Sequence, residues 1–137
     1  MLTGGAGFIG VNLLKYWISN TSHEILIVDK FGYASNRNFV EKLSEKFPKR
    51  IKFCAADIAD EEFLEQIFDD FLPNSLIHLA AESHVDNSIE SPFPFIKSNI
   101  LGTYSLLEAT RKYLSKRLPR HTDNFLFHHV STDEVFG

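Results

Sequence analysis

One cysteine, one methionine and one tryptophan among 137 residues exclude several kinds of protein at the outset. A lone Cys54 cannot close an internal disulfide, so the fold has to rest on packing, and a reducing, cytoplasmic setting is expected. No Cys/His spacing resembles a zinc site, and no metal is expected. The neighbouring His128 and His129 fall on a predicted strand, where their side chains take opposite faces and cannot share an ion. No apolar run reaches the roughly 18 residues of a membrane span, and the start lacks a signal-peptide pattern, so no membrane partner is expected. Basic charge is scarce as well. Lys and Arg number 14 against 18 Asp and Glu, for a net charge of −4. Residues 1–55 hold 8 basic and 4 acidic side chains, and residues 56–137 hold 6 and 14, so there is no concentrated basic face to attract nucleic acid. Phenylalanine, by contrast, is abundant at 13, in a chain 44% hydrophobic and 23% charged. That is the balance of one globular domain with an aromatic-rich core.

The order of apolar patterns indicates the fold class. Phe8, Ile9, Val11, Leu14, Trp17 and Ile18 recur at helical spacing and predict a helix over 7–20. Residues 25–28 form a short, wholly apolar run, as in a strand covered on both faces. Phe39, Val40, Leu43 and Phe47 predict a second helix, closed by Pro48. Residues 51–55 predict a strand. Asp60 can cap a third helix, whose Phe63, Leu64, Ile67, Phe68 and Phe71 form one stripe ending at Pro73, with Asp60, Glu61, Glu62, Glu65, Asp69 and Asp70 on its solvated side. Strands over 75–80 and 124–130 enclose a loop to about Pro94 and a long helix through Ile96, Ile100, Tyr104 and Leu107, with Tyr104 and Leu107 assigned to the core. Alternating helices and strands predict an α/β fold, a Rossmann-like doubly wound parallel sheet. The glycine turn of such a fold follows a strand, yet only two residues precede Thr3. The sequence therefore reads as a partial domain over 1–137, truncated at both ends. Its first strand is largely missing, and its sheet is expected to have an empty central place.

Gly5, Gly7 and Gly10 fit G-x-G-x-x-G, and Gly4, Gly7 and Gly10 fit G-x-x-G-x-x-G. Glycines serve there because the backbone must turn tightly and let a pyrophosphate approach amide N–H groups at a helix N-terminus. Asp29 follows Gly10 by 19 residues, at the end of the next strand. A carboxylate there can accept from an adenosine ribose and repel a 2′-phosphate, which favours NAD over NADP, with Lys30 and Arg37 as nearby cations arguing the other way. Asp57 and Ile58 can flank an adenine, although Asp57 alone reads equally as a loop or cap residue. Ala80 and Ala81 leave a strand with side chains small enough for close approach of a cofactor, and Ser83 and His84 follow. Thr132, Asp133 and Glu134 stand at the sheet's carboxyl edge, where two adjacent carboxylates beside hydroxyls can act as an acid/base pair. By spacing alone, both of these polar clusters read as solvated loops at least as readily. Cys54 reads as a small core residue.

Residues 3–10 (TGGAGFIG), 79–86 (LAAESHVD) and 131–137 (STDEVFG) together resemble the extended short-chain dehydrogenases that act on nucleotide sugars, and within them the dTDP-glucose 4,6-dehydratase family. The likeness runs almost end to end, with Asp29-Lys30, Asp57-Ile58, 95–103 and His128-His129 in matching order. It implies that Phe8 and Ile9 lie on the cofactor pyrophosphate, with Asp29, Lys30 and Gly32 around the adenosine ribose and Asp57 and Ile58 at adenine. It also implies that Leu79, Ala80, Ala81, Ser83 and Ser98 line the nicotinamide half, and that Ser83 and Thr132 bind the hexose. Asp133 is implied as the acid and Glu134 as the base. The implied reaction is NAD-dependent oxidation of the hexose at C4, loss of water across C5–C6 and return of hydride to C6, in a homodimer. Two departures stand out. Phe136 replaces a usual tyrosine. The family's Tyr-x-x-x-Lys pair is missing, because Asn20, Arg37, Glu108 and Arg117 stand four residues after the four tyrosines. That pair, and a C-terminal substrate region, are expected beyond Gly137. Another nucleotide-sugar dehydratase or epimerase, and a non-catalytic NAD-binding remnant, stay open as readings.

Overall fold

The computed structural model describes residues 1–117 and 124–136, and at Glu134 the backbone alone. Five strands, β1 (Leu2–Thr3), β2 (Ile25–Asp29), β3 (Ile51–Ala55), β4 (Ser75–His78) and β5 (Leu126–His129), form one parallel sheet in the order β3-β2-β1-β4-β5. Helices α1 (Phe8–Asn20), α2 (Arg37–Lys46) and α3 (Glu61–Phe71) alternate with the first four strands. β2 is buried along its whole length, and its side chains alternate between two cores. Ile25 and Ile27 join Leu2, Leu14, Val40 and Ile51 on one face, while Leu26 and Val28 join Leu64, Phe68, Leu76, Leu106 and Tyr113 on the other. That is the doubly wound arrangement the pattern predicts.

The central place of the sheet is not empty, which corrects the expectation above. Leu2 pairs with Ile27 on one side and Ile77 on the other. Flanking groups lengthen the ladder. The Met1 amine donates to Ser75 O (2.8 Å), Ile77 N–H to Met1 O (3.0 Å), Leu79 N–H to Thr3 O (3.1 Å) and Gly4 N–H to Val28 O (2.9 Å). A strand between two parallel partners turns its groups alternately to each, so four residues satisfy both neighbours.

Asp60 caps α3 as predicted, its carboxylate accepting from Phe63 N–H at 3.1 Å. The acidic side of α3 is not merely solvated. Glu65 and Asp69 pair with Lys112 and Lys116, tying α3 to α6 (Thr103–Ser115).

Two further corrections concern 81–115. The predicted loop contains a short helix, α4 (Val85–Glu90), and the long helix is three pieces: α5 (Phe93–Phe95), a π-helical segment (Ile96–Gly102) and α6. Tyr104 and Leu107 are 57% and 48% exposed, not core. The helix turns Ser98, Gly102, Ser105 and Ala109 inward instead, together with the core residues Leu106 and Tyr113. At Gly102 a β-carbon would lie 2.7 Å from Ile58 Cγ1, so at that turn no side chain fits. The bulky stripe at the same period is left outside.

Candidate active site

The chain folds so that every loop leaving the carboxyl end of β1 to β4 opens onto one cleft, at the point where strand order reverses between β1 and β4. The cleft measures about 650 Å³ with its solvent-open mouth included. Gly4 and Gly7 come from β1, Asp29, Lys30 and Gly32 from β2, and Asp57 and Ile58 from β3. Leu79, Ala80 and Ala81 come from β4, and Ser98 from the π-helical segment. All of these are residues expected from the sequence, drawn together from positions up to 94 apart.

Glycine is needed at two points for separate reasons. Gly4 has φ +67°, and a β-carbon there would sit 2.5 Å from Ala80 N. Gly10 is buried, and its β-carbon would meet Gly5 Cα and O at 2.6 Å. Gly10 thus lets helix and turn pack, and does not line the cleft. Phe8 and Ile9, on the exposed first turn of α1, and the exposed Ser83 do not line it either. Helix α1 begins at Gly7 with no side-chain cap and no acidic residue in its first turn. Its leading N–H groups and the positive end of its dipole suit an anion, so the residues present fit a dinucleotide pyrophosphate.

Asp29 is buried, and its carboxylate accepts three bonds: from Ala6 N–H (3.0 Å), Phe31 N–H (2.8 Å) and the Ser35 hydroxyl (2.9 Å). It clamps the glycine turn to the loop after β2 and holds Phe31 at φ +54°, a conformation bulky residues rarely take. A carboxylate has about four acceptor positions, which leaves one for a ligand hydroxyl. Lys30 Nζ pairs with Glu82 and donates to Ser98 Oγ at 3.0 Å. Lys97 pairs with Asp57 at 2.8 Å. Burial opposes ionisation of Asp57, but the bonds from Lys97 and the Ala59 amide, with the charges of Lys97 and Lys30, outweigh it and hold the carboxyl below its usual range.

Sequence reasoning missed Tyr33, Ala34, Ser35, Ala56 and Glu82 as cleft residues. Glu82 lies inside the 79–86 block and carries the one signal that could have found it, an acidic residue in an otherwise small and apolar strand exit. Thr132 and Asp133 follow β5 at the same carboxyl edge and are exposed, with Thr132 Oγ1 donating to Asp133 Oδ1 at 3.3 Å. Glu134 shares a 3₁₀ turn with Asp133, and its side chain lies outside the described residues. Thr132 and Asp133 stand on the expected edge but do not line the cleft. Among the described residues there is no cluster that could hold a metal ion, and no helix long and apolar enough to cross a membrane.

The family model for GDP-mannose 4,6 dehydratase matches residues 1–137. The dTDP-glucose 4,6-dehydratase of Salmonella typhimurium is 47% identical over the whole chain, and that of Neisseria meningitidis 43%. The chain spans 37% and 38% of their respective lengths. Among solved structures, dTDP-glucose 4,6-dehydratase from Bacillus anthracis, in complex with NAD, superposes with a TM-score of 0.77 at 32% identity, covering 99% of this chain and 38% of that one. UDP-glucose-4-epimerase from Stenotrophomonas maltophila, with bound NAD, gives 0.78 at 26% identity, covering 99% and 37%. With the family model matched over its whole length and the fold shared with these enzymes, the chain belongs to the GDP-mannose 4,6 dehydratase family, and the sequence relatives named here are dTDP-glucose 4,6-dehydratases.

Proposed function

We propose that the full-length protein is a lyase that dehydrates a nucleotide-linked hexose, dTDP-glucose to its 4-keto-6-deoxy product, with these residues forming its NAD-binding part. The observation that carries this reading is the single cleft that unites the glycine turn, Asp29, Asp57-Ile58 and Leu79–Ala81. Bound NAD would supply reversible removal of hydride from the sugar. The uncapped start of α1 holds the pyrophosphate, and Asp29 offers its remaining lone pair to the ribose. Leu79, Ala80, Ala81 and Ser98 exclude water from the redox end. Thr132 and Ser83 bind the hexose, Glu134 takes the C5 proton, and Asp133 protonates the departing C6 hydroxyl. These 137 residues hold no Tyr-x-x-x-Lys pair to supply the tyrosine base, so on this reading they are inactive by themselves.

Elimination can be separated from oxidation. In the full-length protein Glu134→Gln is expected to oxidise the sugar but lose dehydration by about 10²–10⁴-fold, the usual worth of a general base. Mass spectrometry should then find a 4-keto hexose that keeps its C6 hydroxyl. Asp133→Asn should be blocked less, because solvent can supply a proton. Wild-type dehydration by both variants would remove the chemical basis of the proposal. The likeness to UDP-glucose-4-epimerase favours an epimerase as second reading, and retention of the C6 hydroxyl by the unmodified enzyme would select it.

The same reading includes a cytoplasmic homodimer. The exposed stripe Phe93, Ile96, Ile100, Tyr104 and Leu107 supports it, since a run of that size has no partner among the described residues.

A further inference from the structure

Lys30 lines the cleft, Lys97 and Arg37 contact Asp57 and Phe31 beside it, and each of the three cations already has a carboxylate. Arg37 pairs with Glu41 at 2.8 Å and stacks over the Phe31 ring at 5.1 Å. Lys97 is held by Asp57. Lys30, the cation next to Asp29 in the chain, is drawn across the cleft to Glu82 and Ser98. Glu82 is the best fixed of the three carboxylate partners. Its side chain is 15% exposed, against 32% for Asp57 and 41% for Glu41. Its backbone is gripped on both sides by Asn99, whose Oδ1 accepts from Glu82 N–H at 2.8 Å and whose Nδ2 donates to Glu82 O at 2.9 Å.

A dinucleotide with a 2′-phosphate differs from NAD by one dianion beside the ribose, and a site accepts it by presenting a free Arg or Lys there. Asp29 repels that group, but an adjacent free lysine could offset the repulsion. Resting on the NAD reading above, we propose that Glu82 is a specificity-determining residue: by engaging Lys30 from across the cleft, it keeps the 2′-phosphorylated dinucleotide out. Fifty-two positions separate the two residues, and the pair exists only because β2 and β4 both open onto the same cleft.

The test is calorimetric titration of the full-length protein with NAD and with NADP. Glu82→Gln should raise the NADP-to-NAD affinity ratio about tenfold, roughly 1.4 kcal/mol, by releasing Lys30. The double variant Lys30→Gln/Glu82→Gln should lose that gain. Lys30→Gln alone should leave the ratio within about twofold of wild type, because the engaged lysine contributes nothing to a 2′-phosphate. An unmoved ratio in Glu82→Gln, or a gain that survives the loss of Lys30, would overturn the inference. So would a ratio that collapses in Lys30→Gln alone, which also serves if Glu82→Gln fails to fold. A wild-type protein that binds neither dinucleotide overturns the NAD reading and this inference together. One that binds NAD with a ratio indifferent to Glu82 overturns the inference alone.

Discussion

Thr3 Oγ1 lies 2.7 Å from Nδ1 of His78, joining the first strand to the fourth across 75 positions. The other ring nitrogen lies 3.1 Å from Thr103 Oγ1, where α6 begins, and the ring stacks against His129 of β5 with centroids 4.9 Å apart. One buried imidazole therefore fixes β1, β4, β5 and the helix that carries Ser98 into the cleft.

Burial, with the nearby charge of His129, pushes His78 down to about 4 from 6.5. Between these values the unfolded chain binds the proton that the folded one refuses. The stability is therefore complete above pH 6.5, falls as the pH drops through the window, and levels off below about 4. The whole effect is about 3 kcal/mol. Urea midpoints across pH 4–7 should show this slope, and His78→Gln, which can still bond without titrating, should flatten it. An equal slope in the variant would place the titration elsewhere.

Asp29→Ala removes a ribose acceptor and also orphans Ala6 N–H, Phe31 N–H and the Ser35 hydroxyl. In the full-length protein NAD affinity should drop at least tenfold, since a bond to a charged group is worth about 1.5–3 kcal/mol. The melting temperature should drop with it. Loss of affinity at unchanged stability would show that the clamp on the glycine turn matters little.

Gly10→Ala and Gly32→Ala should behave oppositely. The new β-carbon at Gly10 overlaps backbone that cannot yield, and about 1–3 kcal/mol of stability should be lost. At Gly32 the nearest atom is Lys30 Cε at 3.7 Å, so the change should stay within about 0.5 kcal/mol. Denaturant unfolding of the two variants side by side decides it.

Ile100→Glu and Tyr104→Glu place charge on the exposed stripe without touching either core. Sedimentation should show the full-length protein shifting from dimer to monomer while its unfolding midpoint in dilute solution barely moves. A dimer that survives both changes would put the interface on another surface.

Much was legible without coordinates. Glycine spacing, the wholly apolar run ending at Asp29 and the alternation of 3.6-residue and short apolar patterns are local features, set by backbone sterics and burial on two faces, and they determined the fold class and most of the cleft. What tertiary structure decided is of a different kind. Helical period alone could not say whether the stripe of Tyr104 and Leu107 or that of Ser105 and Ala109 faces inward, because both repeat alike. Close approach at Gly102 and the burial of Leu106 and Tyr113 beside it turned the second one inward. Composition could not say that two residues of β1 would complete the sheet, since that depends on partners 25 and 75 positions away. Nor could it reveal that Lys30 answers to Glu82, because the strength of a charge in a cleft depends on which side chains the fold places beside it.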